Sequence, residues 1–322
     1  MKVMVTGGTG FIGAELVRTL VDRGEDVVVF DVSPNLDRLG SAVRRVSMVQ
    51  GNLAYWPEVM NAVRDNSIEG IYHLGSMLSV PSNLNPWASF HVNVVGTVNV
   101  LEAARLFGVA RMAFTSTVAT YGLDCPELAT DEAVQRPTTM YGCGKLYCEC
   151  LGRFYRSKFG LDFRSVRLPS VVGPGAKVKH VSQYNSWMIE YPLTGRPFEC
   201  FVTEDTRAPA MYFKDAARAV DMLFQAPHNR IKSVNYNVAG VKPTRSAKEI
   251  EQVVLAYVPG AQVSYKPDPD VMDFHNSNRM KELDDARAQE EWGWHPQYPD
   301  FDSVVRDFAS ELQTHPEWYG LK

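Results

Sequence analysis

The sequence is poor in the features that mark secreted, membrane-spanning and nucleic-acid-binding proteins. Its five cysteines, Cys125, Cys143, Cys148, Cys150 and Cys200, are odd in number and include no Cys-x-x-Cys pair. That pattern argues against a disulfide framework and for reduced thiols packed as small apolar residues. The spacing of Cys143, Cys148 and Cys150 does not match a structural zinc site, so no metal is expected. No apolar run approaches the roughly 20 residues of a membrane helix, and no membrane association is expected. Lys and Arg total 33 against 37 Asp and Glu, a net charge of -4. Without a basic stripe to neutralise a phosphate backbone, nucleic acid is an unfavourable partner. Met1-Lys2-Val3-Met4-Val5 runs straight into glycines and leaves no room for a targeting segment, so the cytoplasm is the expected compartment. Internal repeats and low-complexity tracts are also missing.

What is present is an α/β rhythm. The chain has 322 residues, 45% of them hydrophobic, enough for a large core. Short β-branched runs recur at Val3–Val5, Val27–Phe30, Val46–Val49, Ile71–His73, Met112–Thr115 and Phe163–Val166, with longer helical patterns between them. Strands apolar throughout and spaced by helices imply a parallel sheet covered on both faces, a doubly wound sheet of the Rossmann type. In the first unit a helix is expected from about Phe11 to Arg23, with Gly24 as its C-terminal cap. The character changes beyond Pro174. A polar loop passes Lys177, a helix is expected around Ser186–Glu190, and later strands near Val234–Val238 and Gln262–Tyr265. The expected organisation is a dinucleotide-binding domain over residues 1–173 and, over 174–322, mainly a smaller α/β substrate lobe. Segments at about 210–240 are expected to return to the main domain.

Gly7-Gly8-Thr9-Gly10-Phe11-Ile12-Gly13 sets glycines three apart, directly after a strand and opening a helix. One glycine permits the tight turn, another lets the backbone approach a pyrophosphate, and the last allows close helix packing, while the helix N-terminus offers unpaired N–H groups. Gly7, Gly10, Phe11, Ile12 and Gly13 are therefore candidate cofactor contacts. Asp31 ends the second strand eighteen positions after Gly13, where an acid can accept from an adenosine ribose hydroxyl. A 2′-phosphate at about 4 Å from this carboxylate would be repelled by roughly 4 kcal/mol at an effective dielectric of about 20, near a thousandfold in affinity. NAD is thus expected rather than NADP. Asn52 and Leu53 follow the third strand, and Leu74, Gly75 and Ser76 the fourth, where the chain must pass the cofactor.

Tyr141 and Lys145 stand four apart, on one face if the segment is helical. A phenol with pKa near 10 is a poor base at neutral pH, but an ammonium and a positive nicotinamide ring nearby both favour phenolate. Its pKa is therefore expected to fall toward neutrality. The fifth strand runs into Thr115-Ser116-Thr117-Val118-Ala119-Thr120, hydroxyls at the carboxyl end of a buried strand, facing the ligand crevice.

Taken in order, the glycine motif, His73-Leu74, Asn93 with Gly96-Thr97, the hydroxyl run and the Tyr-x-x-x-Lys pair resemble the extended short-chain dehydrogenase/reductase (NAD-dependent epimerase/dehydratase) family over nearly the whole chain. The resemblance implies that Tyr141 exchanges the substrate hydroxyl proton, that Lys145 binds the nicotinamide ribose and tunes Tyr141, and that Thr117 orients the substrate oxygen. It adds Asn93 and Leu168 to the cofactor contacts and Ser170 to the substrate contacts. Dehydratases of this family carry an Asp-Glu pair after the catalytic Thr, where this chain has Val118-Ala119. Nucleotide-sugar epimerases carry an Asn where Ser170 stands, which weakens that alternative.

The carboxyl half resembles the L-threonine 3-dehydrogenase branch, through Phe198-Glu199-Cys200-Phe201, Pro209-Ala210-Met211-Tyr212, Ser264-Tyr265-Lys266-Pro267-Asp268 and Asp284-Asp285-Ala286-Arg287. Ser79 matches that branch's substrate-contacting serine. His180-Val181 replaces its Thr-Thr pair, and Asn276-Ser277-Asn278-Arg279 replaces its Ser-Trp-Pro segment, so His180 is a candidate substrate contact with altered chemistry. Arg207 is read as a structural ion pair, and Trp292 and Trp294 as core. The function these residues imply is NAD-dependent hydride transfer between a secondary alcohol and its ketone on a small substrate, with a nucleotide-sugar 4-epimerase as the alternative. A homodimer through the helices after Asn93 and after Tyr141 is expected.

Overall fold

The computed structural model describes residues 1–321. Seven parallel strands form the central sheet: β1 (Lys2–Thr6), β2 (Asp26–Asp31), β3 (Val46–Gln50), β4 (Gly70–His73), β5 (Arg111–Thr117), β6 (Asp162–Leu168) and β7 (Asn235–Asn237). Their spatial order is β7-β6-β5-β4-β1-β2-β3. The chain therefore runs outward from β1 to β3, returns to β4 beside β1, and continues the other way. A crevice opens where the direction reverses, at the carboxyl ends of β1 and β4.

Successive side chains of these strands serve opposite cores, as the period of two requires. Val3, Val5, Val27 and Val29 pack with α1 (Gly13–Asp22). Met4, Val28 and Phe30 face the other layer, made by α2 (Trp56–Asp65), α3 (Gly96–Leu106) and α4 (Met140–Phe159). Burial on both faces explains why these strands read as continuous apolar runs. Gly24 ends α1 at φ 87, donating its N–H to Val21 O at 3.0 Å.

Beyond β6, α5 (Tyr184–Leu193) leads into a second core. There the short parallel strands Phe198–Cys200 and Val263–Tyr265 pair beside α7 (Ala247–Tyr257) and α8 (Phe301–Thr314). Between them α6 (Phe213–Gln225) packs on the α1 side of the central sheet, and β7 extends that sheet by pairing with β6. Trp294 is fully buried and donates its ring N–H to Ala239 O at 3.0 Å, so it is a core residue. Cys125, Cys148 and Cys200 are buried, but Cys143 and Cys150 are exposed. That corrects the expectation that all five pack as apolar residues. A helix of 20 residues lying over a sheet keeps one face outward, and these two thiols are on it.

Candidate active site

The turn after β1 is built by close approach. Gly7 has φ 66, and a Cβ there would lie 2.8 Å from Gly75 Cα in the loop after β4. A Cβ on Gly13 would lie 2.1 Å from Gly7 O, so only glycine lets α1 start this close to the turn. No side chain caps the N-terminus of α1, and although Ala14 N–H donates to Gly10 O at 3.0 Å, the helix end favours an anion. Thr9, inside the motif, was not singled out by the sequence. Its N–H and hydroxyl donate to Asp31 Oδ2 at 3.2 and 2.8 Å, and Asp31 Oδ1 accepts from Ser33 N–H at 3.3 Å. These bonds hold the carboxylate at the strand end instead of leaving it loose in solvent.

One cleft of about 1050 Å³ is lined by Gly7, Gly10, Phe11, Ile12, Gly13, Asp31, Asn52, Leu53, Leu74, Gly75, Ser76, Ser79, Thr117, Tyr141, Leu168, Ser170 and His180. That volume is ample for a dinucleotide with a small substrate. Two candidate contacts lie behind its wall. Asn93 is buried, accepting from Met77 N–H at 2.7 Å and donating to Met77 O at 2.9 Å, so it clamps the loop that carries Ser76 and Ser79. Lys145 is 2% exposed and donates to Thr115 O at 2.8 Å.

Thr139 caps α4 by accepting from Gly142 N–H at 3.1 Å. A Cβ on Gly142 would lie 2.3 Å from Ala119 O, so this glycine lets the start of α4 rest on the chain leaving β5. The same contact brings the Tyr141 end of α4 to the Thr117 end of β5. Thr117 Oγ1 accepts from Ala119 N–H at 3.2 Å. Beneath it, Glu149 accepts from Ser116 at 2.5 Å and from Arg167 Nη2 at 2.7 Å, a pair with both side chains 1% exposed. Such a buried network fixes β5 against α4, and loss of either partner would strand a charge.

The electrostatics differ from the sequence expectation at one point. Burial pushes the Tyr141 phenol up to about 12, against an opposing hydrogen bond from Ser76. Lys145 Nζ stands 5.7 Å from the Tyr141 ring centroid, and burial lowers its own pKa to about 8. Desolvation of the phenolate therefore dominates. A second positive charge beside the hydroxyl, as on a nicotinamide ring, is needed for the expected fall. Nearby, burial and Lys145 press His73 down to about 3. It is a neutral bridge, 2.7 Å from Thr6 Oγ1 and 3.0 Å from Thr97 Oγ1.

On the other side of the cleft the polar groups are less fully partnered. His180 Nδ1 lies 3.4 Å from Ser182 N, and burial lowers its pKa to about 4, so the ring is neutral at physiological pH. It can exchange hydrogen bonds with a ligand but offers no positive charge. His275 donates to Val181 O at 2.8 Å and is likewise pushed down by burial. Ser170 Oγ and Gln183 Nε2 are buried without a partner among the described residues. Arg207 donates to Thr244 O at 2.6 Å and pairs with Glu249 at 2.8 Å. Gln183, His275 and Arg38 line the cleft without having been singled out, as do Trp318 and Tyr319 from the carboxyl end.

The profile of the NAD dependent epimerase/dehydratase family matches residues 3–239. The chain belongs to this family. It is an NAD-dependent enzyme of the extended short-chain dehydrogenase/reductase type, and the open α1 amides, the glycine turn and the fixed Asp31 fit that cofactor. Among members of the family, mitochondrial L-threonine 3-dehydrogenase of Bos taurus is 30% identical over 300 residues, 91% of this chain and 78% of the relative. The GalE-like L-threonine dehydrogenase of Cupriavidus necator in its holo form superposes with a TM-score of 0.89 at 30% identity, covering 97% of this chain and 100% of that one. The L-threonine dehydrogenase of Phytophthora infestans gives 0.88 at 30% identity, over 98% and 99%.

Proposed function

We propose that this enzyme oxidises the 3-hydroxyl of L-threonine, or of a closely related β-hydroxy-α-amino acid, to the ketone. The observation that carries the reading is that Thr117, Ser76 and Tyr141 all line the cleft that the glycine turn opens, with Ser76 hydrogen-bonded to Tyr141. The enzyme's likeness to L-threonine dehydrogenases supplies the substrate. NAD, when bound, supplies the acceptor for the hydride leaving C3 and a positive ring beside the phenol. Gly7, Gly10, Phe11, Ile12, Gly13, Asp31, Asn52, Leu53, Leu74, Gly75 and Leu168 would hold it.

Tyr141 takes the hydroxyl proton as the C3–H bond breaks, and Thr117 holds the same oxygen in line. Lys145 lies behind Tyr141 as a buried cation favouring phenolate, fixed there by Thr115 O. Ser79, Ser170 and His180 receive the amino-acid end through neutral hydrogen bonds. Asn93 acts on the cofactor through the Met77 loop, as a positioning residue. Unpaired thiols support a reducing compartment, which we take to be the cytoplasm. Exposed Leu106, Tyr147, Phe154 and Phe159 on and beside α3 and α4 support a homodimer through those helices, to be checked by light scattering at micromolar concentration.

Purified protein with NAD and L-threonine should produce NADH, followed by absorbance, and Tyr141→Phe should lower the rate at least about 100-fold with NAD affinity kept. Absence of turnover in the unsubstituted protein with NAD bound would overturn the substrate, and an equally active Tyr141→Phe would overturn the mechanism.

A further inference from the structure

The cleft carries two arginines, and they are treated differently. Arg207 is spent on Glu249 and a carbonyl. Arg38 has no carboxylate within 4.0 Å among the described residues, although it is half-buried on the cleft wall. Its one side-chain hydrogen bond is from Nη2 to Gly175 O at 2.7 Å. The guanidinium lies 5.5 Å from the Phe11 ring centroid and 5.7 Å from that of Tyr319. Burial disfavours its charge most strongly, Tyr319 offsets part of that, and the neighbouring Arg18 adds to it. Glu190 attracts it from a distance, but that carboxylate is engaged by Gly175 N–H at 2.8 Å and by Arg196.

The placement is built. Arg18 holds the Arg38 carbonyl, and two residues on, Gly40 turns at φ 52 with Trp318 packed where a Cβ would sit, 2.5 Å away. A half-buried arginine between two rings, with no carboxylate in ion-pair contact among the described residues, gains from an anion that completes it. Phe11 belongs to the glycine turn whose open amides also await an anion, and the two-pronged guanidinium suits phosphate oxygens.

We infer that Arg38 is a phosphate-binding residue of this enzyme, one that would take the cofactor's pyrophosphate beside the glycine turn while its bond to Gly175 O joins it to the chain beyond β6. The inference rests on the NAD assignment and not on the identity of the substrate, so failure of threonine turnover would leave it standing. Asp31, at the far end of β2, makes the 2′ position unfavourable for a phosphate, so the shared diphosphate is the source we assign.

The test is calorimetric titration of the full-length protein and its Arg38→Met and Arg38→Lys variants with NAD, ADP-ribose and NADP, together with melting temperatures without ligand. Arg38→Met should weaken NAD and ADP-ribose alike, by about 10- to 100-fold, the range of a lost charge-assisted hydrogen bond. Arg38→Lys should fall between, and the unliganded melting temperature of Arg38→Met should hold or rise. Dissociation constants for NAD and ADP-ribose within twofold of the parent would overturn the assignment. So would a loss confined to NADP, which would put Arg38 at the 2′-phosphate, or a fall of several degrees in the unliganded melting temperature, which would make it structural.

Discussion

The two sides of the cleft are built on different principles. On the cofactor side the side chains that frame the site are held within the protein: Thr9 holds Asp31, Asn93 holds Met77, His73 joins Thr6 to Thr97, and Lys145 holds Thr115. On the side lined by Ser170, Gln183 and His180, Ser170 Oγ and Gln183 Nε2 are buried with no partner among the described residues, and the contacts of His180 Nδ1 to Ser182 N and Oγ are long, at 3.4 and 3.3 Å. A preorganised frame suits a cofactor whose shape does not vary across a family. Unpaired groups suit a ligand that supplies the missing partners, and they discriminate strongly against one that cannot.

The largest effect should come from disturbing the frame at Asp31. Asp31→Ser removes the charge facing the ribose and should shift the NADP-to-NAD preference by up to about a thousandfold, read as the ratio of kcat/KM for the two cofactors. An unchanged ratio would mean that the carboxylate does not face the ribose. Next in size is Gly142→Ala, whose added methyl would strike Ala119 O and move Tyr141 relative to Thr117. A displacement near 1 Å there should cost about 100-fold in kcat with NAD affinity intact, and a variant of normal kcat would refute the contact.

The substrate side should respond in the opposite sense. Gln183→Leu replaces an amide whose Nε2 has no partner among the described residues by an apolar group, so melting without ligand should hold or rise while KM for the amino acid increases about tenfold. A lower melting temperature with unchanged KM would make Gln183 an ordinary core residue. The smallest effect is spectroscopic. Because burial disfavours the charged ring, the His180 imidazole should stay neutral from pH 8 to about 5, its carbon resonance moving only as pH approaches about 4. A midpoint near 6.5 would show a solvated loop histidine.

The cofactor half was legible because its chemistry is written in short spacings: glycines three apart after a strand, an acid at the next strand end, and Tyr141 four before Lys145. The strand runs were found with their ends a residue or two short, since Lys2, Asp26 and Arg111 are polar where the ladder continues. What the sequence could not display are contacts between distant segments. Nothing local marks Gly142 as the point where α4 meets Ala119, Thr9 as the holder of Asp31, or Arg38 as a wall of the cleft. The depth of Tyr141 burial, which raises the phenol to about 12 before any nicotinamide charge acts on it, was hidden for the same reason, being a property of the assembled fold.

L-threonine deuterated at C3 tests the proposed departure of hydride from that carbon beside Tyr141. Incubated with NAD and the enzyme, it should give reduced cofactor carrying the deuterium, in step with the loss of threonine and absent with Tyr141→Phe. Reduced cofactor without deuterium, or a bound cofactor that never accumulates in reduced form while a nucleotide sugar is inverted, would contradict the account.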